Sequence, residues 1–356
     1  MLSILVFAAS LLRGGALSPG INDEQLAVAE MRRRIADPAA PDLGGFRDLV
    51  RQATLAASSH NTQPWTFALE ERSITILPDF TRRTPVVDPD DHHLFVSLGC
   101  ATENLVHAAL ASGLHADVRI QDNAISVAFD DTTPVRSPLF EAIPIRQCSR
   151  SIYDGHLLAA KDLRALEDAA HGDGVHAIVL TATPEIEGIL EYVTRGNTVQ
   201  IGDPAFVAEL KAWVRFNETE AVRTGDGLFS RSTGNPAVPR WLGTRLFRTL
   251  LTPKSENDKC AQQLRSSAGV IVFVSDANDR QHWIEVGRSY ERLALQATAL
   301  GIRTAFLNQP VEVAPVRSQF ATWLNLGARR PDLVVRFGRG PEMPRSLRRP
   351  IEQVLA

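Results

Sequence analysis

The sequence has little cysteine. Its 356 residues include three, at positions 100, 148 and 260. They form no CxxC pair and no even set, which excludes a disulfide framework and a structural zinc site and suits a reducing compartment. An excess of positive charge is also missing: 38 Lys+Arg stand against 41 Asp+Glu, a net charge of −3. A nucleic-acid partner needs a basic surface, so that class is excluded. The apolar N-terminal stretch LSILVFAASLL, residues 2–12, falls well short of the ~20 residues that span a bilayer. No GxGxxG follows a strand, and there is no Walker loop, so neither common dinucleotide or phosphate cradle is present. A GxSxG elbow is absent too.

What remains is an ordinary globular composition, 44% hydrophobic and 22% charged, long enough for two domains or one large one. Residues 1–42 read as a leader with one short helix. The 2–12 stretch admits two readings. In one it is a poorly ordered or surface-packed leader. In the other it is a signal or anchor, although its nearest charge, Arg13, follows the apolar run where a secretory signal would place charge before it. A helix fits 46–56, with Phe46, Leu49, Val50 and Ala53 on one face. Residues 65–69 and 73–77 alternate around Glu70-Glu71-Arg72 and predict a hairpin. Asp88, Asp90 and Asp91 suit a helix start. The helix they introduce, about 92–112, is apolar nearly all round and is expected to be central. Asp90-Asp91-His92-His93 reads as its capped start, since adjacent helical side chains diverge too far to share a metal.

The C-terminal half repeats this pattern. FVSLGCATENLVHAALASG (95–113) matches WIEVGRSYERLALQATALG (283–301) at a constant offset of 188 positions, 99 to 287 and 113 to 301. Gly99 pairs with Gly287, Glu103 with Glu291 and Leu105 with Leu293. A mid-helix glycine costs about 1 kcal/mol relative to alanine, and it persists where two backbones come close. Two equivalent helices crossing at these glycines would form a pseudo-twofold interface. We therefore expect an α+β fold of two similar halves, 43–140 and 141–356. The second half is longer: Ala57 to Gly99 is 42 positions, Gly172 to Gly287 is 115. The 73 extra residues fall at about 184–262 and read as a lid. The strands flanking them, about 176–182 and 268–275, are apolar enough to pair without it.

Three clusters carry candidate chemistry. The string AASSHNTQPW (56–65) crowds Ser58, Ser59, Asn61, Thr62 and Gln63 into one loop before a strand, with His60 among them. Several neutral donors and acceptors at one spot suit a heteroaromatic edge or a polyol; a plain helix-end turn uses the same residues. Residues 146–150 hold Arg146, Cys148 and Arg150. Residues 344–350 hold Pro344, Arg345, Ser346, Arg348 and Arg349. Arginine suits bidentate phosphate recognition, but each patch alone also fits a solvated surface.

Together these motifs resemble the nitroreductase family. Ser58, Ser59, Asn61, Gln63, Pro64 and Trp65 match its Ser-Ser-x-Asn-x-Gln-Pro-Trp loop. Arg146, Cys148 and Arg150 are similar to its Arg-x-Ser-x-Arg/Lys segment, and Pro344, Arg345 and Ser346, with Arg348 beyond, to its basic tail. The fused arrangement looks most like the Acg-type branch, and the resemblance covers about 45–355. It implies FMN held noncovalently between the halves: basic segments at the phosphate, the serine–asparagine loop at the flavin and ribityl chain. It implies transfer from NAD(P)H through flavin to a nitroaromatic, quinone or similar acceptor, or else an FMN-sequestering protein with little turnover. Cys148 stands where the family has a phosphate-contacting serine, and Ala57 where many members have proline. Asn308 and Gln309 occupy about the region of the flavin N5 edge. No side chain is assigned as an acid or base. The loop occurs only in the first half and the arginine segments only in the second, so one FMN per chain is expected, in a monomer acting as a pseudo-dimer. A cytoplasmic location is expected, the alternative being export or membrane attachment through 2–12. No twin-arginine pair precedes that run, as export of a folded flavoprotein would need.

Overall fold

The computed structural model describes residues 45–121 and 123–356, so the leader lies outside the described residues. The first half begins with helix α1 (Phe46–Ala53), then strands β1 (Trp65–Leu69) and β2 (Ser73–Pro78). Helix α2 (His92–Ala111) follows, then β3 (Leu114–Gln121), β4 (Ala124–Asp131) and a short helix α3 (Pro138–Ala142). The second half opens with α4 (Ala160–Ala170) and β5 (Val175–Leu180). A long excursion then supplies α5 (Thr183–Gly202), α6 (Pro204–Trp213), β6 (Val214–Arg215), α7 (Glu218–Thr224), β7 (Leu228–Phe229), α8 (Arg240–Leu250) and α9 (Pro253–Arg265). The core resumes with β8 (Gly269–Ser275), α10 (Arg280–Ala299), β9 (Arg303–Phe306), α11 (Gln309–Glu312), α12 (Ala314–Trp323) and β10 (Arg330–Gly338).

The two sheets share one topology. The first has the order β1-β2-β4-β3, the second β5-β8-β10-β9, and every pairing in both is antiparallel. Counted within its own half, each sheet runs first-second-fourth-third, with the long helix between its second and third strands. The expected duplication is therefore present in the architecture.

The long helices cross where the sequence placed their glycines. A Cβ on Gly99 would lie 1.9 Å from the carbonyl oxygen of Ile284, and one on Gly287 would lie 2.0 Å from that of Val96. Residues 96 and 284 are themselves 188 apart, so the contact is reciprocal, as a twofold interface requires. Around this crossing lies the larger core, with Leu98, Leu105, Ile284, Tyr290 and Leu293 fully buried. That burial explains why α2 is apolar on every side.

The sheets differ in cover. Strand β4 alternates buried and open positions, as in a sheet with one wet face, whereas all seven residues of β8 are buried. A continuous apolar strand is what cover on both faces permits. The second cover comes from the inserted segment itself. Ile189 and Val193 of α5 and Leu264 of α9 are fully buried against Val270, Val272 and Val274 of β8. The expectation that all of 184–262 is dispensable to the core is corrected here. Its flanking helices α5 and α9 complete a second core, and only the stretch between them stands away from the sheet. In that stretch Trp241 is 68% exposed and Trp213 is partly buried, so neither tryptophan is a core residue.

The chain ends by crossing back to the first half. Phe67 N donates to Val354 O at 2.7 Å and Ala356 N to Phe67 O at 2.9 Å, extending the β1 edge in parallel. This return carries residues 344–350 past the 58–63 loop.

Candidate functional site

A cavity of about 1120 Å³ lies between the halves. Its walls come from the 54–61 stretch, the start of α2, residues 143–150, the inserted segment, residues 305–309 and residues 344–351. Of the thirteen residues singled out in the sequence, Ser58, Ser59, His60, Asn61, Arg146, Cys148, Arg150, Asn308, Gln309, Arg345, Ser346 and Arg348 border it. Gln63 does not.

The loop is held in an unusual shape. His60, Asn61 and Gln63 all have positive φ, at 48°, 55° and 53°. Left-handed backbone at non-glycine residues is costly and persists only where surroundings enforce it. The enforcing contacts are visible. Ser58 Oγ accepts from Gln63 N at 3.1 Å, and Ser97 Oγ accepts from Ser59 N at 3.3 Å. Asn61 Nδ2 donates to the carbonyls of Gly227 and Leu347, both at 3.1 Å. Gln63 turns away from the cavity: its Nε2 donates to Gly225 O at 2.9 Å and its Oε1 accepts from Arg349 N at 2.9 Å. Asn61 and Gln63 thus tie three parts together: the loop, the inserted segment and the C-terminal return. Burial, then the nearby Arg150 and His93, pull the His60 ring down to about 4, so it is neutral at physiological pH.

The arginine segments are positioned from below. Arg336, fully buried in β10, donates to Ser149 O at 3.1 Å and Ser151 O at 2.8 Å. Gln263 of α9 donates to Arg150 O at 2.7 Å. Arg146 forms a buried pair with Glu291 at 2.7 Å and donates to Leu55 O at 2.8 Å. Arg348 donates to the carbonyls of Thr54, Leu55 and Ala56 and to Asn61 Oδ1 at 2.8–3.0 Å. Both arginines therefore meet the carbonyl-rich end of α1. All of Arg348's acceptors are neutral. Burial, reinforced by the like charge of Arg146, pulls its guanidinium down to about 9. Among the described residues Arg150, Arg345 and Lys259 on the same cavity also lack an acidic partner, while Glu256 and Glu312 are the acids that border it.

The remaining candidates play quieter parts. Asn308 Oδ1 accepts from Val334 N at 3.0 Å and so fixes the turn after β9. Gln309 packs its backbone and Cβ against Gly196 of α5. Cys148 borders the cavity beside Thr304. The sequence reading missed Ser97, Lys259, His93 and Glu312. His93 was visible only as part of a helix start, which it is: Asp88 accepts from His93 N and Leu94 N, both at 3.0 Å. The two imidazoles do not diverge as expected: they meet edge to face with centroids 4.8 Å apart, while His92 Nε2 lies 2.9 Å from Asp332 Oδ1 and His93 Nε2 lies 3.6 Å from Glu312 Oε1.

The inserted stretch roofs the cavity with apolar side chains, among them Leu210, Val214, Phe216, Leu246 and Phe247. It is pinned to the first half. Glu209 accepts from the backbone N–H groups of Val86 and Val87 at 2.9 and 3.0 Å, and Asp226 pairs with both Arg82 and Arg215.

The pseudo-equivalent flank of the helix crossing is filled. Glu103, the counterpart of Glu291, binds Arg292 at 2.8 Å, Arg288 at 3.2 Å and His107 at 3.4 Å. Burial alone would raise its carboxyl, but His107, Arg292 and Arg288 together hold it down at about 2. Arg292 also donates to His171 O, just past α4, as Arg146 does to Leu55 O past α1.

No family model matches the chain. Similarity to known proteins is nevertheless extensive. A Mycobacterium tuberculosis protein provisionally named an NAD(P)H nitroreductase is 24% identical over 330 residues, covering 88% of this chain and 92% of that one. The protein named acg from the same organism, also provisionally an NAD(P)H nitroreductase, is 24% identical over 329 residues, covering 87% and 94%. The resemblance drawn from the sequence is borne out by these relatives. Among solved structures, the FMN-dependent nitroreductase NfnB of Mycobacterium smegmatis in complex with NADPH aligns at TM-score 0.39 and 14% identity, over 61% of this chain and 96% of that one. A nitroreductase with bound FMN from Bacteroides fragilis aligns at TM-score 0.35 and 17% identity, over 57% and 88%.

Proposed function

We propose that this chain is an FMN-dependent oxidoreductase of the nitroreductase family, which takes reducing equivalents from NAD(P)H and delivers them to a nitroaromatic, quinone or similar small acceptor. One observation carries the reading. Arg348 is a half-buried guanidinium bonded only to neutral oxygens, beside the buried Arg146, with Arg150, Arg345 and Lys259 on the same cavity. A cation partly withdrawn from water without a counter-ion is costly. A phosphate nearby would offset that cost by its charge and take its charge-assisted bonds from Arg150, Arg345 and Lys259, since the N–H groups of Arg348 already meet protein oxygens.

The rest of the cavity fits the rest of the group. At about 1120 Å³ it lies just above the ~300–1000 Å³ range of small-ligand sites. Hydroxyls of Ser58 and Ser59 offer partners to a polyol, and the apolar roof offers a face to an aromatic ring. Arg345 and Arg150 would hold the phosphate with the charge of Arg348 beside them, while Ser58, Ser59 and the 60–61 backbone would meet the remainder. When bound, the flavin supplies the hydride chemistry, and the protein supplies position and polarity. The strained loop fixes that position. The neutral His60 adds no second positive charge beside Arg150. With the loop from one half and the arginines from the other, the chain acts as a monomer with one site.

A second reading, FMN sequestration with little turnover, is favoured by the anchors at Glu209 and Asp226, which pin the roof to the first half. Purified protein separates the readings. Flavin released by heat is expected at one FMN per chain, and steady-state NAD(P)H oxidation is expected with nitro or quinone acceptors. Bound FMN without turnover on any acceptor would favour sequestration. A colourless protein that takes up no FMN would refute both.

A further inference from the structure

Behind the main cavity lies a much smaller one, of about 50 Å³, bordered by Asp88, Asp90, Arg317 and Arg330. It is polar and larger than the ~10–15 Å³ that one water centre needs. Two side chains border both spaces, His93 and Glu312. His93 Nε2 lies 3.6 Å from Glu312 Oε1, and Gln200 donates to Glu312 Oε2 at 2.6 Å. The partition between the two spaces is thus an acid and a base in near contact. At the far end Asp90, its side chain 40% exposed, pairs with Arg330 at 3.3 Å and reaches solvent. Burial favours the uncharged form of both partition groups, raising Glu312 against the pull of His93 and lowering His93 against that of Glu312.

We propose that His93 and Glu312 are a proton-relay pair, passing protons from solvent through the small pocket to an acceptor reduced in the main cavity. The proposal rests on the oxidoreductase reading. Converting a quinone to its hydroquinone takes two electrons and two protons. The hydride equivalent that originates on NAD(P)H, which leaves as NAD(P)+, brings both electrons and one proton. The second proton comes from the Glu312 carboxyl as its O–H bond breaks and an O–H bond forms on the acceptor oxygen. The carboxylate left behind is reprotonated from the small pocket by way of His93. The roof over the cavity gives such a route a purpose, because it restricts direct access by bulk water.

The test uses the flavin-loaded protein with Glu312→Gln and Glu312→Asp. With a quinone acceptor, turnover should fall about 100-fold in Glu312→Gln, the lower end of what general acid catalysis supplies, and recover in part in Glu312→Asp. With ferricyanide, a one-electron acceptor that takes no proton, turnover should not change. The wild type minus Glu312→Gln infrared difference spectrum should show a protonated-carboxyl band, set apart from the other buried carboxyls such as Asp88 and Asp332. Equal losses with both acceptors would show a packing role and overturn the relay. So would unchanged quinone turnover, or absence of the infrared band. A wild type that reduces neither acceptor overturns the oxidoreductase reading itself, a result distinct from each of these.

Discussion

The two flanks of the glycine crossing began as equivalents and now do opposite things. On one, Glu291 receives Arg146 from a separate segment, and the neighbouring positions on α2, Cys100 and Asn104, are small and uncharged. A cavity adjoins it. On the other, the counterparts of those two positions are Arg288 and Arg292, and both turn onto Glu103. The ion cluster occupies the space that its twin leaves open. Two positions on one helix, together with loops that occur in one half only, separate a site from a filled junction. A duplicated fold therefore need not carry a duplicated function. Symmetry of the backbone survives on packing, while symmetry of the site needs every contributing side chain.

The largest effect is expected from breaking what the flanks share. Gly287→Ala places a methyl 2.0 Å from the Val96 carbonyl, which is backbone and cannot rotate aside. Overpacking of this kind costs about 3 kcal/mol, well above the ~1 kcal/mol that alanine gains in helix propensity. Urea unfolding should show the loss, along with weaker flavin retention. A variant as stable as the wild type would mean that the helices can part freely. A smaller effect should separate the flanks. Arg348→Ala should weaken FMN binding through the lost charge beside the phosphate, by about 1.5–3 kcal/mol, the scale of one charged hydrogen bond, and riboflavin binding far less. Arg292→Ala should lower the melting temperature and leave FMN affinity alone. Titration of both ligands against both variants decides it. Equal loss of FMN and riboflavin in Arg348→Ala would assign that arginine to capping α1 instead. The smallest effect is expected from copying one flank onto the other. Arg288→Cys with Arg292→Asn empties the filled side, yet flavin released per chain should stay at one, because no second serine–asparagine loop exists to meet it. Two flavins per chain would show that the arginines alone closed the second site.

Much of this was legible in the sequence, for physical reasons. Strands β1 and β2 start where the alternation placed them, and the 188-residue offset located the crossing because glycine inside a helix has few other uses. The 58–61 and 345–348 clusters are visible as crowded polar groups, yet a turn and a solvated patch explain them as well, and only the family resemblance joins them into one site. Gln63 was misplaced among the cavity residues. Its direction depends on partners at Gly225 and Arg349, far away in the chain. The Gly-rich middle of the inserted segment masks the helices at its two ends. The spacing of Ile186, Ile189, Leu190 and Val193 already gave α5 a buried face. Glu312 had no local signature at all, since its neighbourhood is built from α2 and α5.

The return of the chain to β1 has a consequence for biosynthesis. The loop at 58–63 emerges from the ribosome early, and the first sheet can form around it. The segment that bridges to Phe67, and Arg348 itself, belong to the stretch made after everything else in the site. The last strand ends at Gly338, so a chain interrupted between residues 339 and 347 holds every strand of both sheets and still lacks the Arg348 cation that closes the junction. The junction between the 58–63 loop and Arg348 therefore closes only after both sheets have been made.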